Sequence, residues 1–377
     1  MHLLVIIETI GGYHAARLSA ADRLLRANGD RLTALQVYAS TQEHPWGSIP
    51  IDFNTVTSSR PEKEWESLLD QIQPDVIAIP GWGFWYSRRT LRWARSLQKP
   101  TILLSESKKD DAPRLWIKER YKEWRFVRCF SSALVGSQAH RDYLCSLGMK
   151  SIQISLGYDA VDNRYFENET NRLRQENTST LSLPPRPYWL TVSRMIPRKN
   201  LSLLLDAYTG YRQEVGSEWA WDLVLCGSGT EETLLKSKAQ KMGLTDFVHF
   251  PGFKTYTEIP KWYAFTQALI HPALQEQWGL VLNEACASGI PILCSETVGA
   301  KELVLEGVNG FQFNPQSPTA LIDAMLKFHR LSIEKREAMG MQSRKIIENY
   351  SPDRFAQGMQ EAIRQAEQTL RKRIIKR

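Results

Sequence analysis

The 377-residue sequence has few cysteines and no long apolar run. Its five cysteines are widely spaced and form no Cys-x-x-Cys pair, which argues against both a disulfide framework and a zinc site. A reducing, cytoplasmic setting is therefore the default expectation. No apolar run reaches about 18 residues, so we expect no transmembrane helix. The N-terminal segment MHLLVIIETIGG lacks a basic leader and a small-residue cleavage site, and it predicts a buried first strand.

The charge balance is mildly basic, with 48 Lys and Arg residues against 41 Asp and Glu residues and a pI near 9.1. This excess fits an anionic ligand, an anionic membrane surface or nucleic acid, and does not choose among them. The sequence contains no interleaved basic and aromatic platform for single strands and no known DNA-binding motif. We therefore predict no nucleic-acid partner. The sequence says nothing about the oligomeric state.

Short apolar runs alternate with longer amphipathic stretches along most of the chain. The runs lie at residues 3–7, 34–38, 76–80, 101–104, 133–136, 152–156, 188–192, 222–226, 247–250, 268–271 and 290–294. The runs are rich in Val, Ile and Leu and are bounded by Gly, Pro or Ser, which is typical of strands buried on both faces. Alternation of strands and helices predicts parallel, doubly wound sheets. Because a single core usually stops growing at about 250–300 residues, two domains are expected.

A polar segment, ENETNRLRQENTSTLSLPPRP at residues 167–187, interrupts the alternation and ends in prolines. We therefore predict a Rossmann-like domain over residues 1–166, a linker over 167–187 and a second Rossmann-like domain over 188–350. The pattern of residues 351–377 predicts a long helix with a basic end that could pack back on the first domain. Ligands of open α/β sheets bind at the carboxyl ends of the strands.

The most informative segment is HPALQEQWGLVLNEACASGIP at residues 271–291, which predicts a strand end, a loop, a short helix and a new strand. The free N–H groups and positive dipole end of the helix suit a diphosphate, with Gly279 and Leu280 as contacts. Glu276, ahead of the helix, can accept hydrogen bonds from sugar hydroxyls. Glu284, about two turns further on, can hold both hydroxyls of a ribose. Taken singly, each glutamate could instead be a solvated helix residue.

This segment resembles the signature of family 4 glycosyltransferases, which are retaining enzymes of the GT-B fold. Other stretches resemble the family's motifs in the same order: VSRMIPRKN at 192–200, LCGSG at 225–229, VHFPGF at 248–253 and GAKELV at 299–304. The resemblance covers most of the chain, and it is strong over residues 188–312 and loose before residue 130.

The resemblance implies two Rossmann-like doubly wound domains facing a central cleft, with the donor on the C-terminal side and the acceptor on the N-terminal side. It implies catalytic roles for Arg194, Lys199 and Glu276, because two cations can stabilise a departing diphosphate. Without the resemblance, the two cations could be a solvated surface pair. The implied contacts to the nucleotide-sugar donor are Gly11, Gly12, Gly227, Phe253, Gly279, Leu280 and Glu284.

Three residues of the first half are candidates for an acceptor or sugar pocket: His14, Trp82 and Glu106. The Gly11-Gly12 pair suits a loop beside a phosphate or sugar, or a plain tight turn. Trp82 could stack on a sugar or belong to a packed aromatic cluster. Glu106 stands where the family often has a histidine that contacts the donor sugar, and it could also be a helix-capping acid. That departure leaves the identity of the sugar open.

The stretch RLWIKERYKEWRFVR at residues 114–128 is both basic and aromatic. It could lie on an anionic membrane, line a site for an anionic acceptor, or form a solvated helix that covers its own sheet. The expected location is therefore cytoplasmic, with possible peripheral contact to the inner face of the membrane.

The sequence contains no Asp-x-Asp, the carboxylate pair with which metal-dependent glycosyltransferases usually hold a divalent ion. We expect no metal and no cofactor other than the nucleotide-sugar co-substrate. The implied activity is retaining transfer of a hexosyl group, with a UDP-sugar as the commonest donor, to a hydroxyl of a glycan, glycolipid or metabolite. A sugar-nucleotide epimerase of the same fold and a non-catalytic nucleotide-sugar-binding relative remain alternatives.

Overall fold

The structure, a computed structural model, describes residues 1–39, 49–58, 62–111, 115–176 and 182–375. The chain divides into two compact units, Met1–Asp162 with Tyr350–Arg377, and Asn163–Asn349. All five cysteines are free thiols. None of the helices in the described ranges is long and apolar enough to cross a bilayer.

The strands of the described residues all belong to two parallel sheets. They are β1 (His2–Ile7), β2 (Arg31–Gln36), β3 (Asn54–Thr57), β4 (Val76–Pro80), β5 (Thr101–Ser105), β6 (Ser132–Val135), β7 (Ile154–Leu156), β8 (Tyr188–Val192), β9 (Asp222–Cys226), β10 (Val248–Gly252), β11 (Ala268–His271), β12 (Ile292–Ser295) and β13 (Gly310–Phe313).

The α-helices connect and cover these strands. They are α1 (Gly12–Arg26), α2 (Trp65–Ile72), α3 (Trp85–Ser96), α4 (Trp116–Arg125), α5 (Gln138–Ser146), α6 (Asn163–Arg174), α7 (Leu201–Val215), α8 (Glu232–Lys241), α9 (Ile259–Phe265), α10 (Leu280–Ala287), α11 (Pro318–His329), α12 (Ile333–Ile347) and α13 (Pro352–Ile375).

The first unit has a seven-stranded sheet of order β3-β2-β1-β4-β5-β6-β7. All six residues of β1 are buried, because helices cover both faces of the sheet. Leu3 and Val5 pack in one core cluster with Met359 of α13, while Leu4 and Ile6 pack in a cluster on the other face. Since the strand order reverses between β1 and β4, a ligand crevice is expected at the carboxyl ends of these two strands.

The second unit has a six-stranded sheet of order β10-β9-β8-β11-β12-β13. The order reverses between β8 and β11, so the loops that follow these two strands flank the equivalent switch point. Trp189 of β8 is fully buried and packs on Trp221 and Phe328, which anchor this core. The predicted strands at residues 188–192, 222–226 and 268–271 coincide with β8, β9 and β11.

The C-terminal helix α13 belongs to the first unit, where it packs against α1 and β6. Phe355, Met359, Ala362 and Ala366 recur at helical spacing, and all are buried. Gly358 allows close approach to the sheet, because a Cβ at this position would stand 2.2 Å from the carbonyl oxygen of Leu156. A chain that begins in the first unit thus returns to it after completing the second.

The prediction of a linker over residues 167–187 is wrong for its first part, because α6 continues to Arg174. Phe166, Thr170 and Leu173 are the buried residues of this helix, and they lie three and four positions apart. Phe166 contacts Tyr263 of α9 through its ring. Residues 177–181 of the predicted linker lie outside the described residues. Helix α6 is part of the second unit, which therefore begins before the expected boundary.

Candidate functional site

The loop between β11 and α10 carries the first predicted site residues of the second unit. Its backbone runs beside the segment that follows β12, since Glu276 forms a parallel bridge with Val298 and the Gly299 N–H donates to the Glu276 carbonyl at 3.2 Å. Gly279 is the N-cap of α10 with a φ of 107°, a left-handed conformation that favours glycine. The predicted strand–loop–helix unit is therefore present, and its first-turn amides begin at Leu280.

Glu276 meets Lys199, which lies in a short 3-10 turn after β8. Lys199 Nζ donates a hydrogen bond to Glu276 Oε2, and only 11% of the lysine side chain and 13% of the glutamate side chain are exposed. Asn200 ties the turn to the end of β11, because its side-chain amide donates to the Pro272 carbonyl at 3.2 Å. The Leu274 N–H also donates to the Arg198 carbonyl at 2.9 Å. Two motifs far apart in sequence thus form one buried ion pair.

The electrostatics of this pair are set by burial. Desolvation, with the nearby guanidinium groups of Arg198 and Arg194, lowers the pKa of Lys199 to about 7. Arg194 itself is exposed on the same loop. The Glu276 carboxylate acts in the opposite direction and favours the charged ammonium. A lysine with a pKa near neutrality can change its charge when an anion binds beside it.

His271, the last residue of β11, also borders the pair. Its Nε2 lies 3.6 Å from Glu276 Oε2, and burial with the neighbouring Lys199 charge holds the pKa of the imidazole well below its usual range. Neither ring nitrogen of this buried histidine hydrogen-bonds to the described residues. In the sequence, His271 is recognisable only as the end of a strand. A polar residue closing an apolar run was the signal that could have identified it.

The predicted glycine turn at 225–229 packs against the loop that carries Arg194. A Cβ at Gly227 would stand 1.9 Å from the Ser193 carbonyl oxygen, and a Cβ at Gly229 would stand 2.4 Å from that of Met195. Both glycines have positive φ angles, 141° and 156°. The Met195 N–H donates to the Ser228 carbonyl at 2.8 Å, which holds the two loops together. Glycine is therefore required here by backbone contact between the β8 and β9 loops.

Glu284 lies on the second turn of α10 and is buried. Its Oε2 accepts a hydrogen bond from the hydroxyl of Tyr263 on α9 at 2.5 Å. The alternative that Glu284 is a solvated helix residue is therefore wrong. Tyr263 was not predicted as a site residue, because an aromatic residue in an amphipathic helix usually belongs to the core.

Phe253, which follows β10, is exposed. The structure brings the predicted residues of the second unit to one edge of its sheet. Loops at the carboxyl ends of four strands carry them: Arg194 and Lys199 after β8, Gly227 after β9, Phe253 after β10, and Glu276, Gly279 and Leu280 after β11, with Glu284 in the helix that follows.

The predicted residues of the first unit lie at the carboxyl ends of β1, β4 and β5. Gly11 is the N-cap of α1, and its N–H donates to His14 Nδ1 at 3.2 Å, so the glycine pair forms a helix start. Trp82 stacks on Phe126 with ring centroids 6.3 Å apart, which fits the packed aromatic cluster. Glu106 is half-buried near Tyr158, whose phenol pKa is raised by burial first and by Glu106 second.

No group of three or more His, Cys, Asp or Glu side chains that could hold a metal ion occurs in the ranges that the structure covers. The cations of the second-unit edge and the first-turn amides of α10 are the groups there suited to a diphosphate.

Residues 174–346 match the family model described as Glycosyl transferases group 1, which is just under half of the 377 residues. Spore coat protein SA of Bacillus subtilis is 30% identical over 220 residues, which are 54% of this chain and 56% of that protein. A GDP-mannose-dependent α-(1-6)-phosphatidylinositol monomannoside mannosyltransferase of Mycobacterium tuberculosis is 28% identical over 175 residues, 45% of this chain and 44% of that protein. The matched segments thus cover 56% or less of the length of these two relatives.

Solved structures resemble the chain over nearly its whole length, and two of them serve as examples. A glycosyltransferase from Rickettsia africae superposes with a TM-score of 0.75 at 12% identity and covers 98% of each chain. Anabaena HepE in complex with UDP and glucose superposes with a TM-score of 0.74 at 18% identity, covering 96% of this chain and 99% of that one. At such identities the likeness concerns the fold. The predicted GT-B fold of two Rossmann-like domains is confirmed.

Proposed function

We propose that the chain transfers a sugar from a nucleotide-sugar donor to an acceptor hydroxyl. The match of residues 174–346 to the group 1 glycosyltransferase family supports this proposal. The observation that carries this proposal is the buried contact between Lys199 and Glu276 at the carboxyl edge of the second sheet. The contact supports a site for an anionic, hydroxyl-rich ligand, because it joins a cation to a carboxylate beside a helix N-terminus.

In this proposal the diphosphate of the donor lies at the first turn of α10, near Gly279 and Leu280. The ammonium of Lys199 and the guanidinium of Arg194 stabilise the negative charge that grows on the diphosphate as the sugar departs. Glu276 accepts hydrogen bonds from the sugar and keeps Lys199 charged. The proposed reaction needs no metal ion, because these groups already supply positive charge to the leaving group.

The nucleoside occupies the remaining residues of this edge. We assign the ribose hydroxyls to the Glu284 carboxylate and the base to the loop at Phe253. Gly227 lets the nucleoside approach the backbone closely. UDP is the favoured nucleotide, which fits the complex of Anabaena HepE with UDP and glucose. The name of the mycobacterial relative, which specifies GDP-mannose, requires that guanine nucleotides be tested alongside it.

The first unit supplies the acceptor side in this proposal, with His14, Trp82 and Glu106 as sugar or acceptor contacts. The transfer is proposed to retain the anomeric configuration and to move a hexosyl group. The class of acceptor, a glycan, glycolipid or metabolite, stays open within the proposal. A cytoplasmic location stays a prediction from cysteine usage.

A thermal-shift screen across UDP-, GDP-, ADP- and dTDP-sugars tests the donor assignment. A ligand present at about 100 times its Kd stabilises the domain by about 2.7 kcal/mol, so the correct donor stands out. The matched donor should then yield free nucleoside diphosphate, and NMR of the product should show the anomeric configuration of the donor. Stabilisation without turnover would indicate a non-catalytic binder. A change of configuration at one carbon of the donor sugar, or release of free nucleotide without any acceptor, would indicate an epimerase. The absence of any stabilisation would contradict the proposal.

A further inference from the structure

Helix α4 presents its large apolar side chains to solvent. Its exposed face spans an arc of about 140° when successive residues are placed 100° apart around the helix. A monomeric protein seldom leaves such a contiguous aromatic face uncovered without a use for it. The apolar residues of this face, which we call the α4 surface, are Trp116, Ile117, Tyr121 and Trp124, with exposed fractions between 54% and 74%.

The opposite face of α4 is polar and is turned inward. Glu119 accepts hydrogen bonds from Lys122 at 2.8 Å and from the Tyr143 hydroxyl of α5 at 2.7 Å. Glu123 is buried and pairs with Arg120 and Arg128. Ion pairs and a tyrosine hydroxyl therefore hold this helix in place, while its large apolar side chains face solvent. Arg114, the first residue of the predicted stretch, lies outside the described residues.

Because both acids of the helix turn inward, the exposed charges of α4 beside the α4 surface are mainly positive. The side chains of Arg120 and Arg128 are 71% and 59% exposed, whereas that of Glu123 is 9% exposed. Lys118 is exposed as well. The result is an apolar, aromatic face that is bordered by cations and that exposes little carboxylate.

We propose that the α4 surface docks the chain on an anionic lipid bilayer, with the helix lying in the plane of the interface. Trp and Tyr favour the headgroup level of a bilayer because their rings are amphipathic, and Ile117 adds apolar area. Lys118 and Arg120 are attracted by anionic headgroups. A second copy of this chain fits the surface poorly, since a two-fold contact would bring the cations of one α4 against those of the other.

The basic end of α13 adjoins the same region. The Arg373 guanidinium donates hydrogen bonds to the carbonyls of Arg128 at 3.0 Å and Phe130 at 2.8 Å, directly after α4. Ile374 and Ile375 at this end are exposed apolar residues beside exposed Arg371 and Lys372. A second basic and apolar helix end thus lies beside the segment that follows α4.

The α4 surface also reaches a predicted acceptor residue. Phe126, which ends α4, stacks on Trp82 and receives the Tyr121 ring edge-on at 6.0 Å between ring centroids. Resting on the proposed function, we infer that docking holds Trp82 at the level of the headgroups. The acceptor hydroxyl would then belong to a molecule anchored in the bilayer.

Flotation of the full chain with vesicles tests docking without any donor, so its outcome is independent of the proposed activity. We expect binding to vesicles of equal parts phosphatidylglycerol and phosphatidylcholine, and little binding to phosphatidylcholine alone. The double variant Trp116→Ala/Trp124→Ala should reduce the partition coefficient roughly tenfold or more. Lys118→Gln/Arg120→Gln should reduce it roughly tenfold and only on anionic vesicles.

The matched control is Trp219→Ala, since Trp219 is exposed to the same 74% as Trp116 but lies in the second unit. It should leave vesicle binding unchanged, and the tryptophan variants should keep the thermal midpoint because their changed side chains are exposed. Equal binding of the wild type and the double tryptophan variant would overturn the proposal. The proposal would also be overturned if the wild type bound no vesicle and the double tryptophan variant lost self-association or nucleic-acid binding instead.

Discussion

Lys199 donates a hydrogen bond to the carboxylate of Glu276, and 77 positions of sequence separate the two residues. The first lies after β8 and the second after β11, which are neighbours in the second sheet. Because both side chains are largely buried, the charge of each depends on the other. Several measurable properties of the chain should therefore respond to a change in either residue.

The activity should depend on pH through Lys199. Its pKa of about 7 means that the ammonium is present below neutrality and is lost as pH rises. Since the proposed role needs the cation, kcat/KM should fall as pH rises through about 7, and this fall is the alkaline limb of the pH profile. A bound diphosphate favours the ammonium, so the alkaline limb of kcat should lie at higher pH than that of kcat/KM. Lys199→Arg should remove the limb, because a guanidinium stays protonated. The control is Lys327→Arg at an exposed lysine, which should leave the pH profile unchanged. An alkaline limb that persists in Lys199→Arg would contradict the assignment.

Glu276→Gln should lower kcat/KM by roughly 100-fold or more, because it removes a charged acceptor for the sugar and the partner of Lys199. The same change should move the pH limb to lower pH, since the carboxylate that favours the ammonium is gone. That shift distinguishes loss of the pair from loss of folding. Exposed Glu218→Gln should change neither quantity. A variant with full activity would sink the proposed role of Glu276.

Tyr263→Phe should weaken both stability and nucleotide binding, because the buried carboxylate of Glu284 loses a hydrogen-bond donor. A hydrogen bond to a charged group contributes about 1.5–3 kcal/mol, so a lower thermal midpoint and a higher Kd for the nucleoside diphosphate are expected. Tyr211→Phe is the matched control, since this buried tyrosine bonds to the Trp221 N–H at 3.1 Å in the core. Equal nucleotide Kd values for the two variants would refute the link to Glu284.

Gly227→Ala should destabilise the second unit strongly, since its Cβ would stand 1.9 Å from the Ser193 carbonyl oxygen. Gly243→Ala provides the control, because Gly243 also has a positive φ, 68°, but a Cβ there meets nothing within 4 Å. Backbone strain costs both variants about 1–3 kcal/mol, and only Gly227→Ala adds a clash with backbone. We expect a thermal midpoint lower by several further degrees in Gly227→Ala. Equal midpoints would show that the loops can separate freely.

Chelation should leave the activity intact. If Arg194, Lys199 and the α10 N-terminus supply the positive charge at the diphosphate, transfer in excess EDTA should stay within about twofold of the untreated rate. Readdition of Mg²⁺ or Mn²⁺ should then have no further effect. Activity that disappears with EDTA and returns with a divalent ion would show that the protein depends on a metal.

Much of the fold follows from buried periodicity. Strands β8, β9 and β11 were predicted at their observed bounds, because a parallel strand covered on both faces carries a continuous apolar run. Strands β3 and β13 were not predicted. Strand β3, with the sequence NTVT, is an edge strand that is largely exposed, so it carries little apolar signal. Residues 167–174 of helix α6 were taken for a linker because their buried residues, Thr170 and Leu173, stand among charged and polar ones.

The candidate site was predicted in part. Glu276, Lys199 and Gly227 could be identified because their residue types and order match a family motif, and strand ends place them at one edge. His271 and Tyr263 could not be identified in this way. Their importance comes from contacts with Glu276 and Glu284 across elements, which no local pattern records.

By itself, the sequence determined two parallel-sheet domains, the edge that bears the site and the kinds of charge available there. These properties depend on local periodicity and on residue type, which a chain carries before it folds. Only the tertiary structure decided that Lys199 pairs with Glu276 and that α4 turns Glu123 inward and Trp124 outward. An amphipathic helix has two faces in its sequence, and which one is buried depends on the groups it meets. Likewise a lysine's pKa depends on its desolvation and on its neighbours, and both arise only on folding.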